Sequence, residues 1–167
     1  MNYFKTSQSV STTALDHCDT HQVKQILEYA QILSTVHHRY GTVDDRLYKP
    51  THQHHPVTVW AGDHIQHYRE LADVFWTLVS NRVYLQGKPY HKSWLQLGEL
   101  IYSPPWGIED NESLPVEAPQ CMPDAFKSDD VCASYQAYLN HKFAEWAGRD
   151  RPIIAKWSNR PTPEWVA

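Results

Sequence analysis

Apolar side chains recur at spacings of three and four along most of the chain, the period of an α-helix with one buried face. The clearest run is Ile65, Tyr68, Leu71, Ala72, Phe75, Leu78, Val79 and Val83, which predicts a helix capped by Asp63 and stopped at Gly87. An earlier run, Val23, Ile26, Leu27, Ala30, Leu33 and Ser34, predicts a helix over roughly residues 16–36 that turns those side chains to a core. His37, His38 and Arg39 give it a basic last turn, and Gly41 closes it. A shorter helix over about 93–102 ends at Pro104-Pro105. A fourth, capped by Ser128, carries Val131, Tyr135, Tyr138, Leu139, Phe143 and Trp146 inward and ends at Gly148.

The intervals have no such period. Residues 1–15 are polar and Ser/Thr-rich and read as an arm, and 42–62 read as a loop with Pro50, Pro56 and a histidine cluster. Residues 103–127, rich in proline and acid, read as a long surface excursion, and 149–167 as a proline-broken tail. Neither repeats nor alternating strand patterns occur. The expected class is all-α: one domain over 1–167, a compact helical bundle of about four helices.

Composition narrows the setting. A chain of 167 residues can bury a core without staples. No run approaches 18 apolar residues, and the start lacks the charged-then-apolar pattern of a signal peptide, so no membrane partner is expected. Cys18, Cys121 and Cys132 form no CxxC pair, which fits a reducing, cytoplasmic location. The net charge of -4 argues against general affinity for nucleic acid. It is unevenly spread, however. Glu109, Asp110, Glu112, Glu117, Asp124, Asp129 and Asp130 face Lys127 alone, a segment of net -6 that leaves +2 for the rest.

Four constellations carry candidate chemistry. His21, in Asp19-Thr20-His21, and Glu28 stand two turns apart on one face of the first long helix. The bland fate of such a pair is the wet side of an amphipathic helix. Close behind the N-terminal arm, the same pair and a free α-amine have the chemistry to attack a nucleotide. His52, His54 and His55, with His37 and His38 before them, lack the ligand sets of a zinc site, so no metal or other cofactor is expected. Hydrogen bonding to phosphate or to loop backbone is their expected use. Tyr84, Lys88, His91, Lys92 and Ser93 lie at a helix-to-helix turn that is either solvated or meets phosphates. The tail interleaves basic residues with Trp157 and Trp165, which suits a nucleic-acid strand and a latch onto the domain equally. No GxSxG frame and no glycine-rich phosphate loop is present.

Taken in order, these elements resemble the phage pyrimidine-dimer DNA glycosylases of the endonuclease V type, and more closely a set of uncharacterised tailed-phage proteins related to them. Asp19-Thr20-His21 and Glu28 match the first-helix motif of that family, and His55-Pro56-Val57-Thr58-Val59-Trp60 its entry to the second long helix. Arg160-Pro161-Thr162-Pro163-Glu164-Trp165 is similar to its C-terminal end. The closer phage set is indicated by Leu47-Tyr48-Lys49-Pro50-Thr51-His52 and by His91-Lys92-Ser93. The matches are short and scattered, and their shared order carries the resemblance.

The resemblance implies an all-α domain with its N-terminal arm threaded between helices. It also implies a terminal α-amine, ordinarily of pKa about 8, that attacks C1′ of a damaged nucleotide, expels the base and forms an imine; β-elimination then cuts the strand. On this chain Glu28 becomes the catalytic acid/base and His21 its support. The amine of Met1, or of Asn2 if Met1 is removed, becomes the nucleophile. Expected DNA contacts are Lys24, Lys49, His55, Lys88, His91, Lys92, Arg151, Lys156, Arg160 and Trp165, on a monomer that takes damaged or modified duplex. Three departures stand out. Asn2 replaces the small residue that permits Met removal, Leu27 and Gln31 replace two arginines, and the acidic segment 109–130 has no counterpart. A second reading follows from them: a non-catalytic phage interaction protein that binds a host protein or mimics DNA through 109–130. A third is a metal-dependent nuclease or nucleotide hydrolase built on the histidine cluster.

Overall fold

Three helices of this chain begin at a histidine. The computed structural model describes residues 1–111 and 116–167. Among them are six α-helices and one 3-10 turn: α1 (Val10–Asp16), α2 (Asp19–Arg39), α3 (Pro56–Asp63), α4 (Ile65–Tyr84), α5 (Lys92–Tyr102), the turn Asp124–Phe126, and α6 (Val131–Ala147). At the starts of α3, α4 and α5 the Nδ1 of His55, His64 and His91 accepts from the N–H of Val57, Gln66 and Ser93, at 3.3, 3.1 and 3.2 Å. An imidazole fills the place of the usual Ser or Asp oxygen, and only its neutral form has a lone pair to offer.

These caps correct several expected boundaries. The loop over 42–62 contains α3, whose Pro56 at the first turn starts the helix. Asp63 ends α3, and His64 caps the helix that follows. The arm contains α1, capped by the Ser9 hydroxyl, and α6 is capped by Asp130 in place of Ser128. The all-α class stands, with more and shorter helices than periodicity suggests.

Helices α2 and α4 form the centre, with α1, α3 and α5 packed around α4. Tyr29, Ile32, Leu33, Tyr68, Leu71, Phe75 and Leu78 are fully buried between them. Each such side chain contributes about 1.5–3 kcal/mol of transfer free energy. A second, smaller core joins Phe4 of the arm, Met122 and the inner face of α6 (Val131, Tyr135, Leu139). The arm is thus the filling between the central helices and α6.

One further expectation is overturned and another is modified. On α2, Ile26, Ala30, Leu33 and Ser34 are buried, but Val23 and Leu27 lie on the exposed side, while His21, Gln22, Gln25 and Glu28 are buried. The stretch 103–127 is exposed over much of its described length, as a surface excursion is, but it is also pinned to the core. Ile108, Ala118 and Met122 are buried, the Trp60 indole N–H donates to the Val116 carbonyl at 2.8 Å, and the Val116 N–H donates to His67 Nε2 at 2.9 Å. Of the acids in that segment, Glu112 lies outside the described residues. No helix among the described residues is long and apolar enough to cross a membrane.

Candidate active site at the chain start

The first five residues are fastened by hydrogen bonds, ion pairs and ring contacts. The Asn2 amide donates to the Cys121 carbonyl at 2.8 Å, and its Oδ1 accepts from the Tyr3 N–H at 2.9 Å. The Tyr135 hydroxyl lies 2.9 Å from that same Oδ1 and 2.7 Å from the Pro119 carbonyl. Tyr3 stacks on Trp60, meets Tyr29 edge-on, and donates its hydroxyl to Glu70 at 2.8 Å. Burial works against the Lys5 ammonium, yet Glu70 at 3.0 Å and Glu117 at 3.3 Å hold its pKa above the ordinary value. Phe4 points the other way, into the second core, 4.9 Å from the His21 ring.

This stitching delivers one end product: the α-nitrogen of Met1 lies 3.7 Å from Glu28 Oε2. The Asn2 N–H donates to the same oxygen at 3.3 Å, and Lys24 pairs with Oε1 at 3.3 Å. With its NH2 turned toward the two oxygens, the Gln25 amide donates to Glu28 Oε2 and to the Asn2 carbonyl, both at 3.1 Å. Glu28 is therefore a carboxylate surrounded by nitrogen groups, with the Met1 α-amine in ion-pair contact. The groups open into a cavity of about 280 Å³ that Met1, Asn2, Glu28 and His21 share with Lys24, Lys142, Tyr138 and Trp146.

His21 is 3% exposed, ringed by Phe4, Phe143 and Trp146, and its Nδ1 has no partner among the described residues. Burial, reinforced by His17 and by Lys142 and Lys24, pushes its pKa down to about 3, so the ring is neutral. A neutral imidazole with a spare nitrogen serves as a hydrogen-bonding group and not as a phosphate counter-ion. His55 is close by: burial and then the positive α-amine lower its pKa, while Glu28 acts in the opposite sense. The arrangement combines an amine, a carboxylate able to exchange its proton, two lysines at the rim and aromatic walls. An amine beside a carboxylate suits nucleophilic attack on an electrophilic carbon, and the lysines suit an anionic ligand.

The remaining expected site residues fall into two groups. Lys49, Lys88, Lys92, Arg151 and Lys156 are exposed, with His91 half-buried at the start of α5. Arg160 and Trp165 are committed to the chain itself. The Arg160 guanidinium pairs with Asp19 at 3.0 Å and donates to the carbonyls of Leu15 and His17 at 3.1 and 2.6 Å. The Trp165 indole donates to Asp16 at 2.9 Å and lies parallel to Phe143. Asp19, the acid of the Asp-x-His motif, also accepts from the Ser158 hydroxyl at 2.6 Å, so its role is to hold the tail. Of the two uses open to the tail, these residues serve the latch.

The histidine cluster disperses. His37 meets Thr42 and Tyr68, His38 the Tyr48 carbonyl, His52 the Thr51 hydroxyl, and His55 caps α3. No three His, Cys, Asp or Glu side chains converge as a metal site among the described residues. Gln25 and the Cys121 carbonyl are site groups without any sequence signal, since an amide on a helix and a backbone oxygen belong to no motif. Asn2 reads differently once its bonds are known: its amide is the anchor that positions the amine. Comparison with family models, with curated proteins and with solved structures returned no match for this chain.

Proposed function

We propose that this chain is a DNA glycosylase, with or without lyase activity, that removes a damaged or modified base. The Met1 amine is the nucleophile and Glu28 the acid/base. What supports the reading above all is the contact between the α-nitrogen and Glu28 at the mouth of a cavity, with the arm fastened so as to keep it there.

The steps follow from those groups. The neutral amine attacks C1′ of an extrahelical nucleotide as the glycosidic bond breaks, and the base leaves with the bonding pair and takes up a proton. Glu28 removes a proton from the new ammonium and returns one to the ring oxygen as the sugar opens to an imine. Loss of the C2′ proton then expels the 3′-phosphate, and hydrolysis of the imine frees the enzyme. Lys24 and Lys142 face the phosphates beside the reacting sugar, and the neutral His21 offers a hydrogen bond to the sugar. The aromatic wall of Trp146 and Tyr138 covers the space from which water is to be excluded.

Borohydride trapping tests the proposal. Purified protein on duplex DNA with an abasic site should yield a covalent adduct that maps to the N-terminal peptide. Glu28→Gln should lower the yield by at least about a hundredfold, the size of a general acid/base effect, with duplex affinity nearly unchanged. No adduct from the wild type, or an undiminished one from the variant, would sink the assignment.

A further inference from the structure

Residues 74–98 hold no Asp or Glu, the longest such stretch in this acidic chain, while Arg82, Lys88 and Lys92 lie within it. It covers the second half of α4, the turn and the first half of α5. Lys88 and Lys92 are exposed and Arg82 is half-buried, its Nε donating to the Pro89 carbonyl at 2.9 Å. None of the three makes an ion pair among the described residues, whereas Lys5, Lys24, Arg39, Arg46, Lys127 and Arg160 all do.

Aromatic rings lie among those charges. Trp94 rests against Trp76 at 4.4 Å between centroids, and Tyr90 lies 6.5 Å from Trp94, within 28° of parallel. Tyr84 is 75% exposed, and its hydroxyl stands beside that of Tyr90, whose pKa it raises. Leu95 adds an exposed apolar side chain on α5. Large rings left in water at a turn, flanked by unpaired cations, match what a nucleic-acid strand offers: flat faces and phosphates. Only an unpaired strand exposes its base faces, because a duplex keeps them stacked inside.

We propose that Tyr84, Tyr90 and Trp94, with Arg82, Lys88 and Lys92, form a binding surface for an unpaired nucleic-acid strand. Bases stack on the two tyrosines and phosphates meet the cations. The surface adjoins the start of α2, because Gln86 at its edge donates to Asp19 at 2.9 Å, two residues before His21. It deepens the glycosylase reading by supplying a grip on a strand opened near the lesion. It also stands apart from that reading, since stacking and phosphate contact need no reaction at Met1.

The test is fluorescence anisotropy of labelled oligo-dT with the intact protein at low and rising salt. Tyr84→Ala/Tyr90→Ala should weaken binding by about tenfold or more, and Tyr84→Phe should preserve it. Lys88→Gln/Lys92→Gln should make the salt slope shallower by about 1.4, at roughly 0.7 per phosphate contact. The altered side chains are exposed, so melting temperature should not move. Wild type that fails to bind oligo-dT, binds a duplex of equal length more tightly, or matches the variants would overturn the proposal. An oligo-rU arm tells DNA from RNA, and tight binding of either supports the surface. Adduct formation is read in parallel on the same preparations, with borohydride and the abasic duplex. Oligo-dT binding without an adduct defeats the glycosylase reading alone, and an adduct with variant-insensitive binding defeats this one alone.

Discussion

The two ends of the chain both run back onto the first turns of α2, and they leave opposite things behind. At the C-terminus Arg160, Trp157, Ser158 and Trp165 spend their donors on Asp16, Asp19 and nearby carbonyls. At the N-terminus Asn2, Tyr3 and Lys5 are just as fully engaged, yet the atom they fix, the α-nitrogen, faces a carboxylate in an open cavity. Fastening alone therefore does not mark a site. What distinguishes the arm is that its bonds converge on one reactive group and leave it accessible.

Extending the chain separates the ends most sharply. A few residues added before Met1 displace the amine from Glu28, so borohydride trapping should vanish. The same extension after Ala167 should leave it intact. Equal yields from both proteins would place the nucleophile elsewhere.

Acid tests the region the two ends share. Burial holds His17 and His37 down to about 4 and His21 to about 3, so all three are neutral in the fold. The unfolded chain takes up these protons near pH 6.5, so stability is complete above that pH and is lost as pH falls toward 4. Each ring costs about 1.4 kcal/mol per pH unit in that window, and protonated caps at His55 and His91 add to the loss. Melting temperatures should fall steeply from pH 6.5 to 4. A flat profile would mean these rings are not held neutral.

The smallest expected effects cross over. Trp165→Ala should cost about 2 kcal/mol, half of what a fully buried Trp loses, and leave trapping per folded molecule unchanged. Asn2→Leu, which like Asn keeps Met1 in place, should cost only about 1–2 kcal/mol in lost hydrogen bonds yet reduce trapping severalfold, because the amine loses its anchor. Denaturant melts beside adduct yields read both. Parallel losses in the two variants would erase the distinction between the ends.

Much of the architecture is legible from residue order, because α4 and α6 carry long apolar stripes. Helix α3 is hidden by its shortness and by polar flanks: His55 before Pro56 looks like a loop until the imidazole is seen to cap it. The faces of α2 mislead for a different reason. Gln22 and Gln25 are buried because Gln86, the Leu78 carbonyl and the arm come to meet them from far along the chain. Polar residues with distant partners leave no periodic trace. Glu28 and His21 are visible as a spaced pair, but that pair does not reveal that His21 sits in an aromatic cage.

The Asn2 bonds to Cys121 and Tyr135 span 119 and 133 residues. The arm can pack against α2, α3 and α4, but its Asn2 anchor has no Tyr135 partner until the start of α6 is in place. Closing such loops is slow compared with forming the local helices. A chain cut short before Tyr135 therefore lacks one of the partners that hold the amine at its cavity.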